Sequence, residues 1–141
     1  MKLNHFTDFG MRVLIYLEHL DENESTSLDE LAEKFKISRN HLIKVVQFLS
    51  NNNLINTKRG KNGGITIAHK AKTIPIGDLI HLLEQDESPI IDCQAKACIF
   101  PSQKCQLKQL FNLGYQAFLK VLNNYYLKDL RFENLNQIIN Q

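Results

Sequence analysis

The chain has 141 residues, of which 43% are hydrophobic and 23% charged, with a formal net charge of +2. These totals are ordinary for a soluble globular protein and fit one compact domain, alone or with a dimerisation extension. The longest apolar runs, such as Val13 to Leu17, are far too short to span a bilayer, and the first residues lack the apolar stretch of a secretory signal, so a cytoplasmic protein is expected.

Phe6 to Leu20 predicts a helix. Phe6, Phe9, Val13, Leu17 and Leu20 recur at helical spacing, Leu14 and Tyr16 widen the stripe, and Asn4 or Thr7 can cap it. Asp21 to Thr26 is polar and reads as a loop. Ser27-Leu-Asp-Glu30 then fits a capping box, in which serine and glutamate satisfy each other's free amides at a helix start. Leu28, Leu31, Ala32 and Phe35 form the buried stripe of that short helix. Lys36-Ile37 makes a turn, and Ser38 caps a second helix running to about Asn51, with Leu42, Val45, Val46 and Leu49 inward. Two short helices joined this way, the second basic at its start, form a helix-turn-helix pattern.

Leu54 to Thr57 and Ile65 to Ala68 read as two short strands around Lys58-Arg-Gly-Lys-Asn-Gly-Gly64, a hairpin whose Asn-Gly suits a sharp turn. Pro75 starts a further helix through Glu84, with Ile76, Leu79, Ile80 and Leu83 inward. Gln85 to Lys104 is an irregular loop holding Pro89, Pro101, Cys93 and Cys98, and a loop of that length is ordinarily ordered by a ligand or a function. From Cys105 a long amphipathic helix places Leu107, Leu110, Phe111, Phe118, Val121, Leu122 and Tyr125 on one side, enough apolar surface to pair with a second copy. Leu127 to Ile139 predicts a shorter final helix. The expected fold is therefore mainly α: a winged helix-turn-helix with a small two-stranded β wing and a long C-terminal dimerisation helix. Its divisions are a DNA-binding domain (1–84), a cysteine loop (85–104), and a dimerisation helix with a C-terminal helix (105–141).

The distribution of charge says more than its sum. Between Lys34 and Lys72 lie nine of the 17 Lys and Arg residues and none of the 15 Asp and Glu residues. A solvated face usually mixes signs, so a one-signed segment points to a polyanion. In a helix-turn-helix the start of the second helix faces base edges. Those residues are Ser38, Arg39, Asn40, His41 and Lys44. Arg39 suits a bidentate pair with guanine and Asn40 one with adenine, whereas Ser38 and Lys44 suit phosphate. The hairpin tip offers Lys58, Arg59, Lys61, Asn62 and Gly63 to phosphate or a minor groove. The glycines alone would mean only a tight turn.

The cysteines are spaced Cys93-x4-Cys98-x6-Cys105. An odd number of cysteines in such a chain argues against a disulfide framework. Paired Cys-x2-Cys units, typical of zinc, are absent. Spacing alone leaves an iron–sulfur cluster, zinc and plain structural cysteines open, with the cluster favoured.

Taken in order, Phe6-Thr-Asp-Phe-Gly-Met-Arg-Val-Leu-Ile-Tyr16, Ser38-Arg-Asn-His-Leu-Ile-Lys44, Arg59-Gly-Lys-Asn-Gly-Gly-Ile65, Ile76-Gly-Asp78 and Cys105-Gln-Leu-Lys108 span nearly the whole chain. In these stretches it resembles the NsrR-type regulators, the nitric-oxide-sensing branch of the winged-helix iron–sulfur regulators that also includes IscR. The resemblance implies a homodimeric repressor that binds a double-stranded DNA operator and carries a cluster on Cys93, Cys98 and Cys105, with 4Fe–4S favoured and 2Fe–2S the alternative. It implies a fourth ligand at Asp8 from the partner's first helix, with Arg12 steadying the carboxylate one turn on. The bland role for Asp8 is that of a first-turn acid favoured by the helix dipole. Two features depart from the wider family. Leu107 stands where IscR-like members place a histidine, and the second cysteine gap is one residue longer than usual.

The expected activity is release of the operator when nitric oxide attacks the cluster. The alternative is a regulator of the same fold sensing iron, redox state or cluster supply. An electron-transfer protein would leave the basic segment without a purpose. An enzyme is not expected, because no nucleophile–base pair, phosphate loop or paired-carboxylate motif occurs.

Overall fold

A computed structural model describes residues 3–85, 90, 91, 99, 105–130 and 132. Helix α1 spans His5–Glu18. Its cap is Asn4, whose side-chain oxygen accepts from the Thr7 N–H at 2.7 Å. The Asn4 side-chain amide also donates to the Glu84 carbonyl at 3.0 Å and to its carboxylate at 3.1 Å. One residue thus starts the first helix and clasps a segment 80 positions away. Val13, Leu14 and Leu17 of α1 are fully buried, as the helical spacing predicts.

Helix α2 (Leu28–Phe35) and helix α3 (Arg39–Asn51) form the helix-turn-helix. Ser27 caps α2, accepting from the Glu30 N–H at 3.1 Å. The Glu30 carboxylate reaches beyond the capping box, accepting from the Thr26 hydroxyl at 2.8 Å and the Tyr16 hydroxyl at 3.2 Å. Burial pushes the Glu30 carboxyl up, but the Thr26 and Tyr16 donors, Lys34 and the Ser27 amide outweigh it, leaving it below its ordinary value. Lys36 ends α2 in the left-handed region at φ 53°. The Ile37 N–H then donates back to the Ala32 carbonyl at 3.2 Å. Buried Leu31, Ile37 and Leu42 fix how the two helices cross.

Strands β1 (Ile55–Lys58) and β2 (Gly64–Ile67) pair antiparallel, from Ile55 opposite Ile67 to Lys58 opposite Gly64. Lys58 is therefore a strand residue, and Arg59 to Gly63 form the tip. The turn is wider than a two-residue Asn-Gly hairpin: the Gly63 N–H donates to the Gly60 carbonyl at 2.9 Å, and Gly60 sits at φ 105°. A side chain at Gly63 would strike the Lys58 backbone. Thr26 exchanges two backbone bonds with Ile65, at 3.1 and 2.7 Å. The segment read as a loop thereby adds a rung to the wing.

A short helix α4 (His69–Thr73) follows, where no element was expected, and Ala71 is its buried residue. Helix α5 (Ile76–Glu84) starts after Pro75, with no side-chain cap bond, and buries Ile76, Leu79, Ile80 and Leu83. Helix α6 covers Gln106–Leu122. It docks on α5 through its C-terminal half. A Cβ at Gly77 would collide with the Leu119 carbonyl and the Asn123 side chain. Asn123 in turn accepts from the Asp78 N–H and donates to the Asp78 carboxylate, both at 2.9 Å. Ile76-Gly77-Asp78 is thus the seat on which α6 ends.

The inward residue of α6 is Leu119, with Tyr115, Phe118 and Leu122 half-buried beside it. Leu107, Leu110, Phe111, Leu113, Val121 and Tyr125 remain exposed. A 3₁₀ turn at Leu127–Asp129 returns the chain to α1 and buries Leu127 completely. The remainder of the expected Leu127–Ile139 helix, and nearly all of the loop at 85–104, lie outside the described residues. Among the described residues no helix is long and apolar enough to cross a membrane.

Candidate functional site

Ser38 is the N-cap of α3, and its hydroxyl lies 3.0 Å from His41 Nδ1. The His41 ring also leans on Phe9 of α1, with centroids 6.3 Å apart. Ser38 and His41 therefore have local partners. Asn40 and Lys44 are exposed, as is the neighbouring Ile43. Arg39 is exposed too, but its Nε donates to Asp29 Oδ1 at 2.7 Å. Asp29 belongs to the first turn of α2, where the helix dipole favours an acid. The acid-free run in sequence is thus met in space by acids from outside it, Asp29 among them. Spacing gave no sign of this contact, because it joins two helices across a turn.

The nine cations divide on folding. Lys34 lies 3.7 Å from Glu30 and 5.8 Å from the centre of the Tyr16 ring. Lys70 donates to the Asn52 carbonyl at 2.9 Å, satisfying the end of α3. Lys72 lies 3.5 Å from Glu18. These three, with Arg39, have partners in the fold. Lys36, Lys44, Lys58, Arg59 and Lys61 are exposed, and no ion pair engages them among the described residues. Three of those five belong to the end of β1 and the wing tip, with Asn62 and half-buried Gly63 beside them. The charge in the segment is therefore part scaffold and part open surface.

Asp8 stands in the first turn of α1. Arg12 grips it with two nitrogens, Nε on Oδ1 and Nη2 on Oδ2, both at 2.9 Å. That hydrogen bond and the carboxylate's charge raise the guanidinium further above its ordinary value, with burial opposing them. Each carboxylate oxygen has spare lone pairs, so the grip orients Asp8 without using it up. Its side chain is 41% exposed.

Cys105 is half-buried at the N-cap of α6, and no side-chain cap bond engages it. Cys93 and Cys98 lie outside the described residues, and among the described ones no group of three acids, cysteines or histidines gathers around a metal-sized space. Of the expected ligands, the thiol of Cys105 at a helix start and the oriented carboxylate of Asp8 are in view, donor types that iron accepts.

Helix-turn-helix, wing and docked C-terminal helix define a winged-helix transcription regulator. Residues 3–133 match the Rrf2 family, described as iron-dependent transcriptional regulators, and the chain belongs to that family. CymR of Staphylococcus aureus, in its oxidised form, is similar at 30% identity and TM-score 0.69, over 91% of this chain and 94% of that one. CymR of B. subtilis, described as its global cysteine regulator, is similar at 25% identity and TM-score 0.73, over 92% and 95%. IscR of T. potens shares the fold at 22% identity and TM-score 0.69, over 92% and 85%. The chain is thus a transcription regulator and not an enzyme.

Proposed function

We propose that this regulator is a homodimeric repressor that binds operator DNA through α3 and the wing, and releases it when nitric oxide attacks an iron–sulfur cluster. The observation that carries the reading is Asp8, a carboxylate oriented by Arg12 yet open enough to bond iron. Cys93, Cys98 and Cys105 of one subunit, with the partner's Asp8, are the residues that would hold the cluster, 4Fe–4S in preference to 2Fe–2S. When bound, the cluster supplies iron that nitric oxide can attack. Asp8 lies on the helix that touches α3, and Phe9 packs on His41. A pull on the start of α1 therefore reaches the start of the recognition helix through a direct contact. Two recognition helices must meet successive major grooves together, so a small change in their separation weakens binding at both.

Dimerisation is supported by the outer half of α6. Leu107, Leu110, Phe111 and Leu113 are exposed along a helix about 25 Å long, a patch that isolated proteins rarely leave in water. On DNA, Arg39, Asn40 and Lys44 would face the major groove with Ser38 and His41 at its edge, while Lys58, Arg59, Lys61, Asn62 and Gly63 would meet the backbone or minor groove.

The test is a nitric-oxide titration of anaerobically purified protein, followed by absorbance and by gel shift on a duplex selected from a random pool. Bleaching of the cluster in step with loss of the shift is expected. Asp8→Ala should blunt both; an unchanged absorbance, response and affinity in that variant would remove Asp8 from the ligand set. A second reading, in which the signal is iron, cluster supply or redox state, is favoured by the similarity to a cysteine regulator and to an oxidised form. DNA release on peroxide or iron chelation, but not on nitric oxide, would select it.

A further inference from the structure

We infer that Asp29 positions Arg39 for base reading, so that an acid outside the recognition helix sets part of the sequence preference. The inference rests on the reading that Arg39 faces a base. Asp29 takes Arg39 through Nε at 2.7 Å, and no other bond of that guanidinium occurs among the described residues. The two terminal nitrogens are left as a free fork. A fork of that kind matches the O6 and N7 acceptors of guanine, and an arginine held by its Nε has fewer orientations to lose on binding.

The ion pair has little structural work to do. Its side chains are 77% exposed at Asp29 and 58% at Arg39, where such pairs add little to stability. The crossing of α2 and α3 is already fixed by buried Leu31, Ile37 and Leu42 and by the Ile37-to-Ala32 bond. A carboxylate here also repels phosphate, so it weakens binding to any sequence while sharpening binding to the right one. Specificity at the expense of affinity is the signature of such a residue.

The test uses the full-length protein and a random duplex pool, selected in parallel with wild type, Arg39→Ala, Asp29→Ala, Asp29→Asn and the Asp29→Ala/Arg39→Ala double variant. Binding is then measured on the selected duplex, its single-base-pair variants and a scrambled duplex. Wild type should favour guanine at one position per half-site by about tenfold or more, and Arg39→Ala should lose that preference. Asp29→Ala should lose most of it at the same position, bind the scrambled duplex more tightly, and change nothing further once Arg39 is gone. Asp29→Asn, which keeps the acceptor, should retain part of the preference. The proposal is overturned if Asp29→Ala keeps the wild-type preference at the position Arg39 reads, or loses preference at another position. If Arg39→Ala itself keeps every preference, Arg39 is no base reader and the role of Asp29 falls with it.

Discussion

The two halves of α6 are built to opposite ends. Its C-terminal half is seated on α5: Leu119 is buried, Gly77 lets the backbones touch, and Asn123 trades hydrogen bonds with Asp78. Its N-terminal half leaves Leu107, Leu110, Phe111 and Leu113 in the open. One amphipathic helix is thus covered along one half and open along the other, with the boundary near Tyr115. The lesson is that apolar spacing identifies a buried face but not what buries it.

The sharpest way to break the contrast is at the seat. Gly77→Val should destabilise the fold by about 1–3 kcal/mol or more, because the new side chain meets a backbone carbonyl that cannot step aside. A urea midpoint equal to that of wild type would show that the joint has slack. Phe111→Glu, on the open half, should leave the urea midpoint of the isolated subunit unchanged and weaken self-association by roughly tenfold or more, equivalent to about 1.4 kcal/mol. Sedimentation equilibrium reads this, and a dimer of unchanged strength would move the interface elsewhere. Asn123→Ala should cost about 1 kcal/mol by removing both hydrogen bonds to Asp78, seen as a lower melting temperature without loss of dimer.

The division between seated and open groups runs through the cations as well. Lys61→Ala should lower the slope of log affinity against log salt by about 1 per subunit, with no change in melting. Lys70→Ala should do the reverse, since its ammonium holds the end of α3. Equal slopes for the two variants would erase the distinction. The smallest effect is expected at Glu30. Its carboxyl lies below the ordinary value in the fold, so its stabilising contribution is present above the unfolded value and lost as pH falls through the folded one. The gap in urea stability between wild type and Glu30→Gln should therefore be full at neutral pH and shrink below about pH 4. A constant gap would mean that the Thr26 and Tyr16 hydroxyls do not favour the charged form.

Where the sequence was legible, the reason is local. Periodic Leu, Val and Ile residues marked α1, α3 and α5, and Ser27 and Ser38 marked two helix starts. Strand limits moved by one residue because Lys58 has no side-chain preference that separates a strand end from a turn. Helix α4 went unseen because His69-Lys-Ala-Lys-Thr73 has one apolar residue and so no period. The rung between Thr26 and Ile65, and the pairing of Asp29 with Arg39, join segments that sequence spacing cannot relate. Residue types pointed to a DNA surface. Which cations would be absorbed by the fold was a tertiary matter. The Asp8–Arg12 pair was readable because it lies within a single helical turn.

Helix α1 is made first and completed late. Its buried side lies against α3, β2, α5 and the turn at Leu127–Asp129, and its capping residue Asn4 is also clasped by Glu84. During synthesis, Val13, Leu14 and Leu17 must stay uncovered until most of the chain has emerged. Contacts this distant in sequence slow folding, since the loop must close before the burial rewards it. Variants that weaken α5 or the Leu127 turn should therefore show first as poor yield and aggregation in the cell, before any purified protein reveals a defect.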